Sequence, residues 1–153
     1  MSEPLSVDVR ELPPVRVALL EYRAEGLAGS YQQSVGMLFR EVEGWLALHG
    51  YHNTESLRRF GVSFTEDGTL VRYWCCIEAP EGLAAGDGAV QVRDLDGGRY
   101  AVLSLAKDAT ATDDAIDRFY ADYAPAHGLL PDATRPSIEV YHRATIDYCV
   151  PVR

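Results

Sequence analysis

Two side chains of this 153-residue sequence offer more chemistry than the rest: Glu139, in the segment SIEVYH, and Trp74, in RYWCCIE. A carboxylate held among aromatic rings is desolvated, so either its proton affinity rises or it waits for a cation. A tryptophan close to such a carboxylate can form one wall of a cage for a flat or cationic ligand. Strand parity assigns the faces, because successive residues of a strand point to opposite sides. From Ser137 to His142, Ile138 and Val140 share one face while Ser137, Glu139 and Tyr141 share the other. If Ile138 and Val140 pack under the helices, Glu139 and Tyr141 look away from them. From Leu70 to Glu78, Arg72, Trp74, Cys76 and Glu78 share a face opposite Val71, Tyr73, Cys75 and Ile77. Residue type alone also allows Glu139 to be a surface glutamate and Trp74 a core residue of a strand buried on both sides.

Other chemistries find no motif. Cys75, Cys76 and Cys149 fit neither a disulfide framework nor a zinc pattern, and the adjacent pair lies mid-strand, where alternating directions oppose its use as a redox couple. They read as small buried hydrophobes. His49, His52, His127 and His142 show no metal-ligand spacing, and no GxSxG, P-loop or GxGxxG occurs, so no metal and no cofactor is expected. Fourteen Lys plus Arg against 23 Asp plus Glu give a net charge of −9, which argues against direct nucleic-acid binding and against anionic membrane surfaces. Cationic small molecules or basic protein surfaces are better partners. The opening MSEPLSVDVRELPP carries acids where a secretory signal needs bases, and no apolar run is long enough for a membrane span, so a cytoplasmic protein is expected.

The elements that must position these groups follow from periodicity. A strand fits Val15 to Tyr22, begun by Pro13-Pro14, and Ser30 with Gln33 suggests a capping box opening a helix. Val35, Leu38, Phe39, Val42, Trp45 and Leu46 then recur at helical spacing up to Gly50. Strands at Phe60–Thr65 and Leu70–Ala79 flank an acidic turn, and further strands fit Ala89–Asp94 and Arg99–Leu105. A second helix is expected from a cap near Thr112, with Asp113, Asp114 and Asp117 in its first turns and Pro125 and Gly128 closing it. Strands at Ser137–His142 and Thr145–Val152 follow. The order reads βαββ twice. Val17 matches Tyr100, Gly61 matches Glu139 and Pro80 matches Pro151, with the offset falling from 83 to 78 to 71 residues as the loops shorten. The expected fold is α+β: a single domain over 1–153, built from two βαββ halves, about 7–80 and 89–153, related by a pseudo-twofold.

The ordered fragments GGRYAVL, RPSIEVY and the strand ending in IEAP, after a helix ending in WLALHG, resemble the GyrI-like small-molecule-binding family, which includes the DNA gyrase inhibitor protein and the effector domains of AraC-type and multidrug regulators. The resemblance covers about Val7 to Val152. It implies SHS2-like βαββ halves, an antiparallel sheet with two helices, and a ligand cleft between the halves. It also implies that Glu139 is the family's pocket acid and that Tyr141 is the aromatic two positions on. Family members often carry Asp where this chain has Trp74, which implies a more apolar wall there. With no helix-turn-helix segment ahead of Val7, the likeness is to stand-alone members. The function implied is binding of hydrophobic, cationic or polycyclic molecules by Glu139, Tyr141 and Trp74. Two alternatives use what the family also contains. One is a hydrolase of cyclopropane-bearing DNA-alkylating natural products, with Glu139 as catalytic base, Tyr141 polarising a ligand oxygen and Trp74 stacking. The other is an acidic inhibitor of DNA gyrase, with gyrase or a regulator as the protein partner.

Overall fold

Pro13 and Pro14 lack the N–H groups a strand ladder needs, so they separate two strands: β1, Val7–Leu12, and β2, Val15–Arg23. The computed structural model describes residues 5–23, 31–83 and 85–153. The Ser30–Gln33 capping box falls outside the residues whose side chains are described. Next come α1 (Tyr31–Leu48), β3 (Arg59–Glu66), β4 (Thr69–Glu78), β5 (Gln91–Leu95), β6 (Gly98–Ala106), α2 (Ala109–Arg118), a π turn at Phe119–Tyr123, and the single turn α3 (Ala124–Ala126). The strands β7 (Ser137–Tyr141) and β8 (Thr145–Pro151) complete the order. The class is α+β, and the strand ladders are antiparallel. No helix among the described residues is long and apolar enough to cross a membrane.

Contacts divide the chain into two units, Pro14–Asp96 and Gly97–Arg153 together with β1. In the first unit the strands lie in the order β3-β4-β2-β5, and in the second β1-β6-β8-β7. This corrects the expected division at 7–80 and 89–153. The strand expected at Ala89–Asp94 lies at Gln91–Leu95 and pairs with β2, from Val15↔Leu95 to Leu19↔Gln91. It stays there because Val90 and Val92 pack with Ala18, Leu20, Val42, Trp45, Leu46 and Ile77 in the core beneath α1. The strand β1, absent from the sequence expectations, pairs with β6. Its burial is slight and its alternation is short, Val7 and Val9 against Asp8 and Arg10 before Glu11 breaks it, so it carries little periodic signal.

The turns follow residue chemistry. Asp67 and Gly68 both take positive φ, 51° and 78°, between the paired Glu66 and Thr69, the two-residue turn that favours Asp-Gly. Gly50, at φ 93°, ends α1 as its spacing suggests, with Tyr51 N–H donating to the Leu46 carbonyl. Helix α2 departs from expectation. Its cap is Asp108, whose Oδ1 accepts from Thr110 N at 3.0 Å and Ala111 N at 3.2 Å, and not Thr112. Asp113, Asp114 and Asp117 therefore lie beyond the first turn. The helix also changes register before Pro125. Ala124 N–H reaches back five residues to the Phe119 carbonyl, a wider turn that eases the crowding Pro125 brings to the carbonyl four residues before it. Phe119, fully buried, anchors this segment on Ala101, Leu103, Val150 and Val152.

Candidate functional site

In the second unit, Glu139 and Tyr141 lie on the helix-facing side of the sheet. Glu139 stands opposite Tyr148, which stands opposite Leu103 of the core under Phe119, and Tyr141 stands opposite Ile146. Ile138 stands opposite Cys149 on the other face. The condition weighed from parity, Ile138 and Val140 under the helices, is not met: Ile138 and Val140 lie on the other face, and Glu139 lies on the helix side. The physical reason is register. Parity fixes which residues alternate, but only pairing with β8 fixes which set meets the helix.

Half-buried Glu139 has hydroxyl-bearing neighbours in the ladder, Tyr148 opposite and Ser137 on its own strand face. Ser137 precedes it by two positions on the same face. Ser137 hydrogen-bonds the phenols of both Tyr148, across the strand pair, and Tyr120, on the π turn. Burial, together with the nearby Glu139 carboxylate, pushes the Tyr148 phenol above its ordinary value, although Ser137 acts against this; burial likewise raises Tyr120. Both phenols therefore stay protonated and able to donate near neutral pH. Tyr120 is 44% exposed and meets Phe119 edge to face at 5.4 Å, while Tyr123 stacks on His127 at 3.8 Å. The arrangement is one carboxylate among phenols and aromatic edges, on a turn type found often at functional sites. Sequence reasoning missed Tyr120, Ser137 and Tyr148, although IDYCV shows a tyrosine in a strand able to pair with SIEVY.

In the first unit Trp74 lies on the sheet face away from α1, as parity suggested, since Tyr73, Cys75 and Ile77 pack on the helix side. Its partner there is Glu21, directly opposite in the β2–β4 register. Trp74 Nε1 donates to Glu21 Oε1 at 3.1 Å, Arg72 Nη1 donates to the same oxygen at 3.1 Å, and Arg23 Nε donates to Oε2 at 2.7 Å. Burial raises the Glu21 carboxyl, but the bonds from Trp74, Arg72 and Arg23 outweigh it and hold the group below its ordinary value. The Phe64 ring meets Trp74 edge to face at 4.7 Å, the Arg72 guanidinium lies 4.3 Å from Phe64, and that of Arg93 lies 5.5 Å from Trp74. Glu21 was also missed, though it interrupts the apolar run VRVALLEY.

A third polar cluster joins α1 to the loop before β5. Trp45 Nε1 donates to Asp87 Oδ1 at 2.6 Å, and His49 bridges the Trp45 carbonyl at 2.8 Å and Asp87 Oδ2 at 3.3 Å. Cys75, Cys76 and Cys149 are buried, and burial pushes the Cys75 and Cys149 thiols to about 12, so they are inert as nucleophiles near neutral pH. Among the described residues no cluster of three or more His, Cys, Asp or Glu could hold a metal ion.

Comparison with known proteins agrees with this architecture. The family model of the GyrI-like small molecule binding domain matches residues 5–153. No curated protein matches in sequence. Among solved structures, a hydrolase from Listeria innocua superposes with a TM-score of 0.65 at 11% identity, over 96% of this chain and 91% of that one. The C-terminal domain of EcmrR gives 0.69 at 8% identity, over 97% and 98%. SAV2435 bound to tetraphenylphosphonium gives 0.62 at 15% identity, over 97% and 94%. At these identities the likeness is one of fold.

Proposed function

We propose, since the chain belongs to the GyrI-like small molecule binding family, that it binds hydrophobic cationic or polycyclic molecules with Glu139 as the polar anchor and Tyr141 as an aromatic wall. The observation that carries this is the setting of Glu139, half-buried, opposite Tyr148 and on the same strand face as Ser137, which hydrogen-bonds the neutral phenols of Tyr148 and Tyr120. Aromatic surface supplies contact area and cation–π attraction, and the carboxylate selects for positive charge. A relative of the same fold holds tetraphenylphosphonium, a ligand of this class. Trp74 is a second aromatic surface, in the other unit, and enters the reading for neutral polycyclic molecules only, since the Arg93 guanidinium lies over its ring. The repeated plan supports reading the units as SHS2-like copies. In one, β2-α1-β3-β4 is ordered β3-β4-β2, and in the other β6-α2-β7-β8 is ordered β7-β8-β6.

The test compares tetraphenylphosphonium with tetraphenylborate, equal in shape and opposite in charge, on wild type and Glu139→Gln by titration calorimetry. The substitution keeps volume and removes charge. It is expected to weaken the cation by about 2–3 kcal/mol, the Coulomb attraction of unit charges about 6 Å apart at an effective dielectric near 20, and to leave the anion unweakened. Equal losses for both would show that Glu139 only shapes the pocket.

A second reading rests on the Listeria innocua relative described as a hydrolase. Glu139 would take a proton from water as its oxygen bonds to a strained ring carbon, the ring bond breaking toward a conjugated dienone. General-base assistance of about 10²–10⁴-fold is enough for such an electrophile and too little for a stable amide. Incubating a dienone-conjugated cyclopropane with wild type and Glu139→Gln, and following ring opening by mass, tests it. No acceleration by the wild type, or equal acceleration by both, removes the catalytic role.

A further inference from the structure

The Trp74 surface carries the opposite electrostatic sign to the Glu139 site. Two guanidiniums, Arg23 and Arg72, hold the Glu21 carboxylate, which also accepts from the Trp74 indole, and a third, Arg93, lies over the Trp74 ring on the same face. Glu78, on the same face of β4, is occupied by Arg58 at 2.8 Å. Register puts Asp94, on β5, on the other face, because it stands opposite Arg16 while Arg93 stands opposite Val17. Two of the guanidiniums lie over aromatic rings, Arg72 over Phe64 and Arg93 over Trp74. The guanidinium of Arg72 is held in place by Glu21, whereas Arg93 is exposed on an edge strand. A rigid indole, fixed by its N–H bond and by the edge of Phe64, thus stands beside two planar cations whose side chains both reach solvent.

We infer that this face is a binding site for small flat aromatic anions, such as aryl carboxylates or sulfonates, stacked on Trp74 with the charged group taken by Arg93 and Arg72. Arginine suits this role because its planar fork matches a carboxylate in two parallel hydrogen bonds and also stacks on rings. A cation is disfavoured here, since the ring it would stack on already faces guanidinium charge. Polyanions are disfavoured for a different reason. The chain as a whole carries a net charge of −9, so an extended nucleic acid or an anionic membrane meets repulsion beyond the patch, whereas a small anion feels mainly the local arginines.

The experiment uses three probes of one shape at fixed ionic strength: 2-naphthoate, 2-naphthylmethanol and 2-naphthylmethylammonium. Binding is followed on the Trp74 indole N–H resonance, assigned by its loss in Trp74→Phe. The expected order is anion, then neutral, then cation, with naphthoate at least tenfold tighter than the ammonium. Arg93→Gln, an exposed substitution that leaves the sheet core untouched, is expected to weaken naphthoate about tenfold and the neutral probe less than twofold. Three results would overturn the inference: the ammonium binding as tightly as naphthoate, Arg93→Gln weakening both probes alike, or naphthoate binding without moving the Trp74 resonance.

Discussion

Replacing Glu21 tests whether the polar face of the first unit is built around that carboxylate. Its side chain is 17% exposed and accepts from Trp74, Arg72 and Arg23. Arg23 is 70% exposed and can turn to water, so its pair contributes little. Arg72 is 39% exposed, and its share is reduced by solvent for the same reason. The Trp74 bond, neutral donor to charged acceptor in a half-buried site, is the larger part. Glu21→Gln keeps one acceptor oxygen for Trp74 and Arg72 but removes the charge that makes the bonds strong, at a cost of about 1–2 kcal/mol. Glu21→Ala leaves the indole N–H without an acceptor, at a cost of about 2–4 kcal/mol, or roughly 5–12 °C in Tm for a chain of this size. The carboxyl is held below its ordinary value in the folded state, so its stabilisation is fully present above the unfolded value, about pH 4.3, and is lost as pH falls through the lower folded one. Urea unfolding at pH 7 and pH 3 should therefore show a Glu21→Gln penalty that is large at neutral pH and small in acid. A penalty independent of pH, or a Glu21→Ala cost under about 0.5 kcal/mol, would refute the reasoning.

Four other substitutions probe the second unit and the α1 surface. Asp132 is held at about 2 by the hydroxyl and N–H of Thr134 and by Arg135, so its stabilisation is lost between about pH 4 and pH 2; Asp132→Asn should flatten the fall in Tm over that window, and an unchanged acid limb would count against it. Phe119→Ala removes a fully buried ring from the core beneath the π turn and should cost about 3–5 kcal/mol in urea unfolding, with a cost below about 1 kcal/mol showing that the turn repacks. Gly98 takes φ 146°, a backbone conformation that L side chains rarely adopt, and a Cβ there would come 2.6 Å from the movable end of Arg135, while Gly44 in α1 has nothing within 4 Å. Gly98→Ala should therefore destabilise by about 1–3 kcal/mol and Gly44→Ala should stabilise by up to about 1 kcal/mol, measured by thermal melts of the two variants; equal effects would undo the distinction.

The sequence by itself determined what depends on neighbours along the chain. The period of Val35 to Leu46 made α1, Gly50 stopped it, Pro13-Pro14 started β2, and Asp67-Gly68 closed the β3–β4 hairpin. Alternation in RYWCCIE separated Trp74 from Tyr73, Cys75 and Ile77 for the same local reason, and the ordered fragments WLALHG, IEAP, GGRYAVL and RPSIEVY together carried enough of a pattern to identify the family. Tertiary structure decided what depends on pairing between distant strands. Parity leaves two orientations for Ser137–Tyr141, and only the register Glu139↔Tyr148↔Leu103 turns the carboxylate toward the helix side. Likewise, nothing local in VRVALLEY or RYWCCIE shows that Glu21 faces Trp74 across two strands separated by some fifty residues. Such contacts are set by which apolar faces must be buried together, a choice made over the whole sheet and not by any one segment.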